Sequence, residues 1–131
     1  MRVLAVTGWS GSGKTTLIVS LITHCVARGE RVAVIKHTHH EINDRNQGDT
    51  ARFLAAGASI AILTNDDEAI QWRIGASPVP IPPWTGEGAD PPLDADVILI
   101  EGFKSRHGWP RIEAPMDVTE AIAILDRIAP P

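Results

Sequence analysis

The sequence predicts an α/β fold in three layers, with helices covering both faces of a mainly parallel sheet. Three observations lead there. RVLAVT at 2–7, RVAVIK at 31–36, SIAILT at 59–64 and ADVILIEG at 95–102 are short, almost wholly apolar runs, the composition of strands buried on both faces. Stretches of helical periodicity separate the first three. Strands that alternate with helices pair in parallel, because each crossover returns the chain to the same side of the sheet. At 131 residues the chain is long enough for one core of this kind, so residues 1–131 are read as a single domain.

The first strand runs directly into GWSGSGKTT, residues 8–16, which fills the GxxxxGK[ST] pattern of a phosphate-binding loop. Gly8, Trp9, Ser10, Gly11, Ser12, Gly13, Lys14, Thr15 and Thr16 are therefore nucleotide-binding candidates. The glycines let the backbone approach an anion closely, Lys14 offers a positive charge to the outer phosphates, and Thr15 offers a hydroxyl to Mg²⁺. Helical spacing follows, with Leu17, Ile18, Leu21, Ile22, Cys25 and Val26 on one face and Gly29 as a stop. The unpaired NH groups at the start of that helix face the same phosphates. This strand, loop and helix order narrows the fold to the P-loop NTPase class.

Beyond the second strand, HTHHEINDRNQGD at 37–49 reads as a polar loop, and DTARFLAAG as a helix capped by Asp49 and stopped by Gly57. The segment SPVPIPPWTGEGADPPL, 77–93, is too rich in proline for a helix or a central strand and reads as an exposed loop. At the C-terminus Val118, Ala121, Ile122, Leu125 and Ile128 share a helical face, and Asp117 with Glu120 is spaced as a capping box. EAIAIL is also consistent with a last strand, since so short an apolar run fits either period.

A phosphate loop needs an acid for its metal, placed at the C-terminal end of a neighbouring buried strand. VILIEG provides Glu101, with Gly102 behind it allowing close approach of a terminal phosphate; Asp44 and Asp49 are next in line. Lys14 and Glu101 are the candidates for chemistry, and Thr15 and Glu101 for the metal. The run KHTHH brings Lys36, His37, His39 and His40 together on the same edge of the sheet as the phosphate loop. Imidazoles so grouped suit a transition metal, contact with phosphate or with water on Mg²⁺, or simple solvation.

The formal net charge of −4 argues against a nucleic-acid surface. The single Cys25 permits no disulfide framework and fits a reducing compartment, and no apolar stretch approaches membrane-spanning length, so a cytoplasmic location is expected.

Taken together, GWSGSGKTT, VAVIKHTHH, GDTARFLAAGA and DVILIEGFK followed by PRIE resemble the molybdopterin-guanine dinucleotide biosynthesis protein B family, known as MobB, over most of residues 3–113. The resemblance implies a GTP-binding, dimeric adapter that assists the molybdenum cofactor guanylyltransferase joining GMP to molybdopterin. It further implies that Lys14 and Thr15 hold GTP and Mg²⁺, that Glu101 is the acid of the metal site, and that the KHTHH loop lies at the nucleotide or at bound molybdopterin. GTP rather than ATP comes from the resemblance alone, because TNDD at 64–67 matches the Asn and Asp pattern of guanine-binding proteins only faintly. Two rival classes fit the same residues. One is a small phosphotransferase using Asp44 and Arg45 with Arg73, Lys104 and Arg106 as clamps; the other is a metal-handling GTPase using the histidines.

Overall fold

The computed structural model describes residues 1–43, 48–86, 91, 93–102 and 108–128. Its strands are β1 (Arg2–Thr7), β2 (Val32–His37), β3 (Ile60–Thr64), β4 (Ala69–Arg73), β5 (Val79–Ile81), β6 (Val97–Glu101) and β7 (Arg111–Glu113). The helices are α1 (Lys14–Ala27), α2 (Gly48–Ala55) and α3 (Val118–Arg127). All seven strands join one sheet in the order β5-β4-β3-β2-β6-β1-β7. Pairing is parallel from β3 through β7 along that order and antiparallel only where β4 and β5 extend it.

Handedness decides which face each connection covers. From β1 through α1 to β2, and from β2 through α2 to β3, the chain steps in one direction across the sheet, and right-handed crossovers put both helices on the same face. There Leu17, Ile18, Leu21, Ile22 and Cys25 of α1 and Phe53 of α2 pack on Leu4, Val6, Val34 and Leu99. Each fully buried aliphatic or aromatic side chain of this kind contributes roughly 1.5–3 kcal/mol, which makes packing the main force holding α1. The return from β3 to β6 steps the other way and so crosses the opposite face. That face is covered among the described residues by Trp84, Leu93, Trp109 and Ile81 from irregular and edge segments, not by helices. The third layer is thus built from the proline-rich segment and its neighbours, with the Trp84 and Trp109 rings 5.5 Å apart.

Three strands differ from the sequence expectation. AIQWR, with its mixed polarity, forms β4 against β3. The proline-rich segment contributes β5 at the sheet edge, where Pro80 needs no ladder partner on its outer side. RIE forms β7, which shields the other flank of β1. The last segment is helical, as the capping box predicts: Asp117 accepts a hydrogen bond from Glu120 N at 3.2 Å, and Ala121 and Leu125 are buried. Cys25 is a buried free thiol whose pKa burial pushes up, consistent with a small apolar role.

Candidate functional site

The C-terminal ends of the parallel strands β1, β6 and β2 open onto one hollow of about 420 Å³. It is lined by Ser10, Gly11, Gly13, Lys14, Thr15, Thr16, Lys36, His37, Asp49, Glu101 and Gly102. The sheet register builds it. Lys36 is the Cα partner of Glu101, and Glu101 is the partner of Val6 just before the phosphate loop. Parallel partners point to the same face, so both side chains emerge on the helix side, above Val34 and Leu99.

The loop itself turns tightly. Gly8 has φ +147°, and a Cβ there would lie 2.6 Å from Ser12 Oγ and 2.8 Å from the Ala114 carbonyl, so only glycine fits. Ser12 is buried inside the turn, its Oγ without a hydrogen-bond partner among the described residues. Trp9 points away and is 59% exposed. Lys14 Nζ donates to the Gly8 carbonyl at 2.9 Å, across the mouth of the loop. Helix α1 then starts with no side-chain cap and no acid in its first turn, unlike α3. Its positive end is left facing the hollow, the arrangement that favours an anion.

Opposite the loop lies a compact polar cluster. Thr15 Oγ1 is 3.0 Å from Asp49 Oδ2 and 3.3 Å from Glu101 Oε1. Lys36 Nζ hydrogen-bonds to Asp49 and lies 3.4 Å from Glu101 Oε2. Glu101 is only 4% exposed, yet its Oε2 has no hydrogen-bond partner in good geometry among the described residues. Burial alone disfavours the Lys36 ammonium, but the hydrogen bond to Asp49 and the charges of Glu101 and Asp49 outweigh it and hold its pKa above the ordinary value. Burial likewise pushes the Asp49 carboxyl up; the Lys36 ammonium and the Thr15 hydroxyl prevail, and its pKa lies below the usual carboxylate value.

Asp49, next in line for the metal in the sequence reading, is not the helix cap it was also expected to be. It lies in the first turn of α2 rather than ahead of the helix as a cap, and its carboxylate reaches across to Thr15 and Lys36. The signal was present in GDT, an acid at the start of a helix that follows a strand ending beside the phosphate loop. Only the packing of α2 against α1 and β3 brings it there.

The histidine run divides. His37 ends β2 and lines the nucleotide-sized hollow, with its Nε2 3.3 Å from Asp66 Oδ1. His39 meets the His37 ring edge-on at 4.9 Å and, with His40, lines a second hollow of about 430 Å³ shared with Glu41, Asn65, Asp66 and Glu68. No group of three or more His, Cys, Asp or Glu side chains is placed to hold a metal ion among the described residues. TNDD is a turn: Asn65 Oδ1 accepts from Asp67 N and Glu68 N, both at 2.8 Å, closing the link between β3 and β4. Of the phosphotransferase residues, Arg73 pairs with Ile60 at the opposite end of the sheet from the hollow. Asp44, Arg45, Lys104 and Arg106 lie outside the described residues. Gly102 lines the hollow with φ +98°, and a Cβ on it would press on His37 Cβ at 3.1 Å.

The sequence profile of MobB, described as molybdopterin guanine dinucleotide synthesis protein B, matches residues 3–124. The chain belongs to the MobB family. It is 43% identical over 104 residues to the molybdopterin-guanine dinucleotide biosynthesis adapter protein of Haemophilus influenzae, covering 77% of this chain and 56% of that one. It is 35% identical over 113 residues to the protein of the same description from Escherichia coli, covering 77% and 58%. The chain thus spans somewhat over half the length of these MobB relatives. The crystal structure of Bacillus subtilis MobB superposes with a TM-score of 0.51 at 23% identity, covering 94% of this chain and 73% of that one, and shares its fold. Within the MobB match fall the phosphate loop, the cluster of Thr15, Lys36, Asp49 and Glu101, and the histidine run.

Proposed function

We propose that this chain is a nucleotide-binding adapter of molybdenum cofactor biosynthesis. It binds GTP with Mg²⁺ in the hollow over the phosphate loop and, as a homodimer, assists the guanylyltransferase that attaches GMP to molybdopterin. One observation carries the nucleotide part: a hydroxyl, Thr15 Oγ1, held between the carboxylates of Asp49 and Glu101 beside an uncapped helix start. These are hard oxygen donors of the type Mg²⁺ prefers. Asp49 and Glu101 carry two negative charges against the single charge of Lys36, and one buried carboxylate oxygen has no hydrogen-bond partner in good geometry among the described residues, so the donor set fits a further cation.

In this reading Thr15, Glu101 and Asp49 hold the metal, which when bound neutralises charge on the outer phosphates. Gly8 to Gly13 would wrap the phosphates with backbone, and Lys14, which meets the Gly8 carbonyl here, would hold the β and γ phosphates. Thr16 lines the wall of the hollow, as do Lys36 and His37 on the far side. The adapter role is supported by the names of the relatives, and the choice of GTP follows from the resemblance to the family. His39 and His40, which line the second hollow, are in this reading where a second ligand such as molybdopterin would bind.

Native mass spectrometry of the chain with GTP, ATP and molybdopterin, alone and with the guanylyltransferase, tests the reading. GTP and Mg²⁺ are expected to be retained together and to strengthen the complex with the transferase. Equal retention of ATP and GTP would refute guanine selection, and a transferase complex indifferent to nucleotide would refute the nucleotide-gated adapter.

A further inference from the structure

Lys36 occupies an unusual position in the hollow. It is not part of the phosphate loop; it comes from β2, two strands from β1 in the sheet order, yet its ammonium shares one cavity with Lys14. In the structure it does the work of a cation for both acids, hydrogen-bonding to Asp49 and approaching Glu101 to 3.4 Å. Those are the same carboxylates that flank the Thr15 hydroxyl at 3.0 and 3.3 Å. Two acids arranged about one hydroxyl cannot be fully satisfied by one ammonium and also serve a divalent cation in the same way. The three charges sum to −1 with Lys36 alone, whereas adding a divalent cation makes the total +1 and leaves Lys36 in surplus.

The lysine also has somewhere to go. Its side chain is flexible, and the hollow it lines is also lined by Ser10, Gly13 and Lys14 of the phosphate loop. Register fixes its root beside Glu101, so it approaches from the side of the hollow opposite β7, which is where β2 and β6 lie.

We propose that Lys36 is a placeholder cation that senses the outermost phosphate: it holds Asp49 and Glu101 in the nucleotide-free protein and exchanges them for the terminal phosphate of a metal-bound nucleoside triphosphate. This rests on the reading of the hollow as a Mg²⁺-nucleotide site and assigns one residue the discrimination between tri- and diphosphate. A nucleoside diphosphate gives the released ammonium no partner, so Lys36 returns to its carboxylates. A purely structural lysine would lock the acids in place and leave that discrimination unchanged.

The test uses Lys36→Met, which keeps the unbranched side chain to within one atom and removes the charge. Two measurements are needed: calorimetric affinities for GTP and GDP in Mg²⁺, and thermal unfolding with and without Mg²⁺ in the absence of nucleotide. The expected result is a loss of about 10- to 100-fold in GTP affinity, the size of one charge-assisted contact, with GDP affinity held within about twofold. Without nucleotide, Mg²⁺ should raise the unfolding temperature of Lys36→Met more than that of the parent, because the acids no longer have a competing cation. An unchanged ratio of GTP to GDP affinity overturns the proposal. Should Lys36→Met fail to fold, the double variant Lys36→Met/Asp49→Asn removes the unpaired charge, and its GTP to GDP ratio is read against Asp49→Asn alone, with the same outcomes deciding. A parent protein that binds neither nucleotide overturns the underlying site reading together with this one; a parent that binds GTP with Mg²⁺ and an unaltered ratio in the variant overturns this one only.

Discussion

Replacing Glu101 by glutamine removes one charge from the cluster while keeping its shape, and the structure gives the two resulting effects opposite signs. In the metal-free protein a threonine hydroxyl has one hydrogen to give, and Thr15 Oγ1 faces Asp49 at 3.0 Å and Glu101 at 3.3 Å, so one carboxylate goes without. Glu101 is buried, and its Oε2, 3.4 Å from Lys36 Nζ, has no hydrogen-bond partner in good geometry among the described residues. A buried acceptor left unsatisfied costs about 1–3 kcal/mol. The amide of E101Q donates to Thr15 Oγ1, frees the hydroxyl hydrogen for Asp49 and turns its oxygen to Lys36. Metal-free stability is therefore expected to rise by about 1 kcal/mol, or about 4 °C in unfolding temperature for a chain of this size. With Mg²⁺ the balance reverses, since losing one charged ligand costs about 1.5–3 kcal/mol, or roughly 10- to 100-fold in the Mg²⁺ concentration that supports GTP binding. Differential scanning fluorimetry in EDTA reads the first effect, and GTP titrations across a Mg²⁺ series read the second. An unchanged Mg²⁺ requirement refutes the assignment of Glu101 to the metal, and a lowered metal-free unfolding temperature refutes the account of an under-satisfied carboxylate.

Lys14→Ala should abolish measurable triphosphate binding with little change in stability, because among the described residues the ammonium hydrogen-bonds only to the Gly8 carbonyl; calorimetric affinity equal to the parent's would sink the phosphate-loop reading. GTP hydrolysis by the isolated chain is expected at ~10⁻⁴ to 10⁻² per second, the range of P-loop GTPases without an added transition-state arginine, and single-turnover rates of several per second would mean a complete catalytic site. Asp117→Ala removes the cap that Glu120 N binds at 3.2 Å and should cost about 1 kcal/mol in urea unfolding at unchanged m-value; a cost near zero would mean that packing of Ala121 and Leu125 alone holds α3.

What the sequence determined on its own was whatever depends on neighbours along the chain. The turn of GWSGSGKTT, the periodicity of α1, the buried runs of β1, β2, β3 and β6 and the capping box of α3 are local, and each was legible because a few residues fix φ, ψ and burial period together. The strands that escaped notice, β4, β5 and β7, are short and sit toward the sheet edges, where half their surroundings come from distant segments and polar or proline residues are tolerated. Which segment covers the second face was decided by crossover handedness: helices were expected there, and among the described residues the backward step from β3 to β6 places Ile81, Trp84 and Leu93 over it instead. The site divides along the same line. Lys14 and Thr15 could be assigned roles from spacing, because the loop and the helix start are contiguous. The pairing of Thr15 with Glu101, 86 residues away, was anticipated from the strand end that carries the acid, whereas its hydrogen bond to Asp49, 34 residues away, was not. Asp49 looked like a cap because an acid at a helix start is most often one. What made it a partner of Lys36 is the register of β2 on β6 and the seating of α2 beside α1, which bring two acids and one ammonium into a pocket too small to leave them independent.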